Sequence, residues 1–255
     1  MLTININDVP FNLPESWDEI INTGKYLQVI EHIITIEEAP LRLYEIFKTL
    51  TGFDVNKIDM NDNGRDQLSA QLICNVLPKL NFIFDEEVLF VKNPIPSFTH
   101  DGIVYTGPSD RLNSQTGFQW EITHHLQVIF AHSQDTAILE KIVLVNYTAE
   151  NKPENATPLP QALIFGIYLW YGKCEKWWGL KYPWLFPDPD EKDITTPSEP
   201  TSGREIKEML FKLAGSKLNA DYDIVRARTR PDILFALDEM EKERERLEAQ
   251  RPASH

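Results

Sequence analysis

Apolar residues along this chain recur mostly at spacings of three and four, the period of a helix that buries one face. Leu41, Leu43, Ile46 and Phe47 keep that rhythm up to Gly52, and Thr35-Ile-Glu-Glu38 has the spacing of a capping box that would open the helix. Ser16-Trp-Asp-Glu19 predicts an earlier helix start by the same chemistry, a serine oxygen accepting a backbone N–H while the glutamate reaches back. From about Arg65 to Leu80, Leu68, Leu72, Ile73, Val76 and Leu77 line one side of a further helix, with Pro78 near its end. Three longer segments, QTGFQWEITHHLQVIFAHS, TAILEKIVLVNY and LPQALIFGIYLWYG, are apolar enough to be surrounded by neighbours and are expected at the centre of the core.

Elsewhere the period changes. LTINI at 2–6 alternates, Asn7-Asp8 is a turn signal and VPFNL can return, which predicts a short N-terminal hairpin. EVLFVK and GIVYTG are β-like runs flanking KNPIPSFTHD, whose prolines suit a loose hairpin or an edge pair near 86–107. The expected fold class is therefore mainly α with minor β: a helical core, two short hairpins and a helical C-terminal arm.

After the last long helix comes EKWWGLKYPWLFP, which gathers Trp177, Trp178, Trp184, Tyr182 and Phe186. Residues 187–203 then bring four prolines and five acids without an aromatic residue, the composition of a linker. Ser202-Gly-Arg-Glu205 predicts the next helix start, ahead of Ile206, Met209, Leu210 and Leu213. Pro231 opens a last helix in which Ile233, Leu237, Met240 and Leu247 form a narrow seam. The organisation expected is a main domain over 1–186, a linker over 187–203 and a helical arm over 204–255.

Charge narrows the range of partners. With 39 acidic and 25 basic residues the formal charge is −14, which disfavours a phosphate backbone, so no nucleic-acid partner is expected. Arg226, Arg228 and Arg230 in VRARTRP are expected to ion-pair with the acidic C-terminal helix instead. No apolar run approaches the roughly 18 to 20 residues a bilayer span requires, and the opening MLTININDVPFNLP lacks the features of a secretory signal. The expectation is a cytoplasmic protein with no membrane partner, and with Cys74 and Cys174 as buried free thiols.

Candidate chemistry is sparse. Asp59-Met-Asn61-Asp-Asn63-Gly64 matches the start of a calcium loop, but position twelve, where a bidentate glutamate belongs, is Ala70. A helix cap in which Gly64 supplies a positive φ accounts for the same residues, with weak calcium binding as the alternative. Glu121, His125 and His132 share a helix face but lack the adjacent-turn histidine pair of a zinc site, so hydrogen-bonded surface histidines are the better account. No nucleophile elbow or phosphate-cradling glycine loop is present in the sequence. The residues thus predict no catalytic, cofactor or metal site. The aromatic stretch is expected to close the core in preference to gripping a partner.

Several segments read in order resemble a family. They are Leu13-Pro-Glu-Ser-Trp17-Asp-Glu after the first hairpin, Tyr105-Thr-Gly-Pro-Ser-Asp, Thr116-Gly-Phe-Gln-Trp120-Glu leading into long helices, and LFKLAGSKLNADYD before a charged terminal helix. The pattern is similar to small accessory proteins encoded in the tail-gene regions of tailed phages and prophages, described as tail assembly chaperones. That resemblance implies a non-enzymatic role in the host cytoplasm, holding a helical tail component such as the tape-measure protein before it polymerises. Ile233, Leu237 and Met240 are then the first candidates for the contact, and Trp177, Trp178 and Trp184 the second. The alternatives are a virion adaptor or connector that self-associates through its arm, and an enzyme with a composite small-molecule site.

Overall fold

A computed structural model describes residues 1–6, 9–59, 61–150, 157–186, 204–215 and 221–249. Among these residues the fold is mainly helical, with two short antiparallel hairpins. The chain divides into two compact units, Met1–Pro94 with Pro160–Lys173, and Ile95–Leu159 with Cys174–His255.

The first unit opens with β1 (Leu2–Ile6) and β2 (Val9–Leu13), paired from Leu2↔Leu13 to Ile6↔Val9, and their alternation buries Ile6 and Leu13. At α1 (Trp17–Asn22) the Ser16 hydroxyl accepts from the Glu19 amide at 3.3 Å, and the Glu19 carboxylate accepts from the Glu15 amide at 2.8 Å. The start expected at Thr35 is not one. Thr35 ends α2 (Tyr26–Thr35) and gives its hydroxyl to the Glu31 carbonyl, while α3 (Ala39–Thr51) begins with Pro40 in its first turn, where a missing N–H costs nothing. Gly52 closes α3 in the left-handed region at φ 76°, and the Lys25 ammonium takes the last carbonyls, those of Thr49 and Leu50.

The fourth helix, α4 (Asp62–Gln71), does not run on regularly to Leu80. Residues Leu72–Val76 widen into a π turn, in which the Leu77 amide reaches back to the Leu72 carbonyl, and Leu77–Phe84 continue as a 3-10 helix. Pro78 supplies the reason: it has no N–H, and in a regular helix its ring would collide with the carbonyl four residues back. The widened turn buries Leu68, Leu72, Val76 and Leu77 but leaves Ile73 52% exposed, against the single face expected from sequence.

An aromatic cluster fills this unit. Trp17 stacks on Phe90 at 4.9 Å and meets the edges of Tyr26 and Phe82, and the Tyr26 hydroxyl donates to the Gly166 carbonyl at 2.7 Å. Gly166 lies in α7 (Gln161–Lys181), and a Cβ there would sit 3.0 Å from the Tyr26 ring. Phe90 of EVLFVK is buried in this cluster, but the segment forms no strand; pairing begins only beyond Pro94, where the Pro96 carbonyl accepts from the Gly107 amide at 2.9 Å.

The second hairpin lies later, in the second unit, as β3 (Ser97–His100) and β4 (Ile103–Thr106). Asp101 and Gly102 form its two-residue turn with φ 50° and 75°, the handedness that matches strand twist. Beyond it α5 (Gly117–Ser133) starts from a capping box of Thr116 and Gln119, and α6 (Thr136–Asn146) packs against it.

The C-terminal helices α8 (Arg204–Ala214), α9 (Tyr222–Ala227) and α10 (Arg230–Ala249) are not an arm beyond a domain that ends at residue 186. Ile206, Leu210, Leu213, Val225, Ile233, Leu234 and Leu237 share one buried core with Trp120 of α5 and Trp178 of α7. Gly117 makes the junction tight: its amide donates to the Arg228 carbonyl at 2.9 Å, and a Cβ would fall 2.7 Å from Ile233. The acidic linker expected at 187–203 and the cap expected at Ser202–Glu205 fall largely outside the described residues.

Cys174 is buried, as expected, whereas Cys74 on the π turn is exposed. No described helix is long and apolar enough to cross a membrane.

Candidate functional site

The residues expected to grip a partner are mostly spent inside the second unit. Ile233 is fully buried and Leu237 and Trp178 nearly so, while Met240 and Trp177 pack against the same core. Ile233, Leu237 and Met240 of the α10 seam are therefore part of the stripe packed on the core that α8 and α5 share, whereas Leu247 at its far end stays exposed. Trp184 alone of the six keeps substantial exposure, 39%, and its indole donates to Asp238 at 3.1 Å. Core closure is thus the role of most of the aromatic stretch: Tyr182, Leu185 and Phe186 also lie against the core.

Beside that core runs a polar network that composition did not announce. Arg230 is fully buried, clamps both carboxylate oxygens of Glu175, and sits 4.5 Å above the Trp120 ring. Its guanidinium also donates to the Gln115 side chain, whose amide donates to Asn146 at 2.7 Å, and Asn146 donates to Thr123 at 2.8 Å. Removing a guanidinium from water is costly unless such partners surround it, so the network fixes how α5, α6, α7 and α10 meet. Arg226 pairs with Glu121 at 2.8 Å. Of the VRARTRP arginines expected to pair with the C-terminal helix, Arg226 and Arg230 pair instead with Glu121 and Glu175.

Several of the candidate cation ligands have other partners. Asn61 accepts from the Gly64 amide at 2.8 Å and caps α4; Gly64 itself is helical, so the positive φ expected there is not used. Glu121 is engaged by Tyr222 and Arg226, and His132 bonds the Val128 carbonyl. The Tyr222 hydroxyl is pushed up to about 12 by burial and by the Glu121 carboxylate beside it. Among the described residues no cluster of three or more metal-ligating side chains occurs. Burial also pushes the Cys174 thiol up, with Glu175 acting in the same direction, which disfavours the thiolate a nucleophile needs.

An open apolar surface lies in the first unit instead. A groove of about 430 Å³ runs between α3 and the helix that begins at Asp62, floored by Val55, Leu72 and Leu77 and flanked by Leu41 and Ile73. Leu41 is 47% and Ile73 52% exposed, so two large aliphatic side chains face water at its edges. The π turn creates this wall, because it turns Ile73 out of the buried face. Glu38 and Asp66 line the groove as well, with Arg65, which lies 3.8 Å from Asp62. Sequence reasoning had the signals for this groove, in Pro78 and in one aliphatic residue too many on the predicted face, but assigned all of them to the core.

Comparison of the chain with protein-family models, with curated proteins and with solved structures finds no match.

Proposed function

We propose that the protein is a non-enzymatic assembly factor of tailed-phage tails, a chaperone that holds a helical tail component before assembly. The observation that carries this reading is the groove between α3 and α4, in which buried aliphatic residues form a floor and Leu41 and Ile73 stand exposed on its sides. An amphipathic helix lays its apolar stripe into such a groove. Glu38 and Asp66 at the edges, in a chain of formal charge −14, favour a client whose apolar stripe is flanked by lysine or arginine. The same charge keeps a holding protein soluble while its groove is empty.

The test is co-purification of tagged protein with the products of neighbouring tail genes, followed by mass spectrometry. Recovery of a long helical tail protein is expected, with its loss in the Leu41→Asp, Ile73→Asp double variant. Because both side chains already face water, that variant should stay within about 0.5 kcal/mol per site of wild-type stability. Retention of the client by the double variant would remove the groove from the mechanism. A virion adaptor is favoured by Phe235 and Leu247, which remain 62% and 52% exposed on α10. It is distinguished by a fixed copy number in purified particles, where a chaperone should be absent.

A further inference from the structure

We infer that the second unit carries a binding site for a neutral saccharide, in the depression between β4, the start of α5 and the end of α6. This inference is independent of the tail-assembly reading, which concerns the other unit. The depression encloses about 500 Å³. A quarter of the chain is charged, yet none of its ten lining residues is. A carboxylate or phosphate ligand would find no counter-charge among these residues, and an apolar ligand would have to cover the exposed hydroxyls of Thr106 and Thr148.

The walls are rigid because their polar groups are already committed to one another. Thr116 and Gln119 cap α5 reciprocally, the Gln119 amide donates to the Val145 carbonyl at 3.0 Å, and Asn146 belongs to the buried network. Gly107 lets the backbone lie against Tyr147, whose ring would be 2.3 Å from a Cβ, while the Tyr147 hydroxyl donates to the Ile95 carbonyl. On this frame Thr106 and Thr148 exchange both backbone bonds at 2.9 Å, which sets their exposed side chains next to each other on one face. Exposed Ser114 adds a third hydroxyl to the lining.

Phe118 completes the arrangement. It is 46% exposed at the edge of the depression, but it is not loose: the Arg226 guanidinium lies 4.4 Å from its ring centroid, and Arg226 is held by Glu121. A ring fixed in advance beside a set of hydroxyl groups, in a lining without a charged side chain and with the nearby Arg226 charge already paired to Glu121, is the chemistry that recognises a sugar, whose C–H face packs on an aromatic ring while its hydroxyls exchange hydrogen bonds with the wall.

Saturation-transfer NMR on the full chain tests this, with maltotriose and tri-N-acetylchitotriose as neutral probes and trigalacturonate as the charged control. Transfer to at least one neutral probe at millimolar concentration is expected, with none to trigalacturonate. Phe118→Ala should weaken binding about tenfold, the scale of one lost ring contact, whereas Phe118→Tyr should retain it. Thr148→Glu, at an exposed position that leaves the ring in place, should also abolish transfer. No transfer to either neutral probe, equal transfer to trigalacturonate, or binding unchanged in folded Phe118→Ala would each overturn the assignment.

Discussion

In the first unit Trp17, Tyr26, Phe82 and Phe90 meet ring to ring, whereas the second unit encloses a fully buried arginine together with Gln115, Thr123 and Asn146. The second unit adds to its apolar core a set of directional contacts that the first unit's ring cluster does not need. Aromatic and aliphatic contacts are non-directional, so the first unit can leave Leu41 and Ile73 outside without disturbing its interior. Hydrogen bonds to a buried guanidinium are directional, and each one missed is expensive, so they constrain how the helices of the second unit meet. The first unit's core thus goes with an open apolar groove, and the second unit's buried polar network with a small uncharged depression.

The sharpest way to break the first unit is Trp17→Ala. It empties the centre of the ring cluster and should cost about 4 kcal/mol, read as a lower urea midpoint, with Trp17→Phe recovering part of the loss because the packing has no strict geometry. The corresponding blow to the second unit is Glu175→Ala, which strands Arg230 in the core. A loss of about 3 kcal/mol is expected, at the low end for a broken buried pair because Glu175 keeps 26% of its side chain exposed. Here the informative rescue is the double variant Glu175→Ala, Arg230→Met, which should regain stability over the single change. If it does not, the pair is not what fixes the helices.

The smallest effect sharpens the comparison through pH. Asp101, in the turn of the second hairpin, accepts from the Thr157 amide and hydroxyl, and these bonds hold its carboxyl below the ordinary carboxylate value. A depressed folded pKa means stability that is fully present above the ordinary value of about 4 and is lost as pH falls through the folded value. Thermal midpoints of wild type and Asp101→Asn should therefore differ at neutral pH and converge in acid. A gap that persists in acid would show that the turn depends on the side chain's shape and not on its charge.

Local features were the legible ones. The N-terminal hairpin, the Ser16 cap, the Gly52 stop and the helical character of the C-terminal segments all rest on groups a few residues apart, and all are present. The errors share the opposite origin. Asp101-Gly102 is a turn signal that the flanking β-like runs overshadow. Ile73 counts with its neighbours only while periodicity assumes a regular helix, and Pro78 breaks that assumption. Ile233 and Leu237 look available only because the surfaces they meet, on α5 and α8, lie far away in the chain.

Sequence by itself therefore determined most of the helices, the first hairpin, the Ser16 cap and the Gly52 stop, since hydrogen bonds and periodicity within a turn or two are written in adjacent residues. Only the tertiary structure decided that residues 160–173 join the first unit, that the C-terminal helices complete the core of the second, and that a groove stays open beside the π turn. It alone decided that Arg230 goes inside, because the partners that make its burial tolerable are 55 and 115 residues away, at Glu175 and Gln115. Burial is a property of pairs of distant residues, and no pattern in either partner's neighbourhood specifies the other.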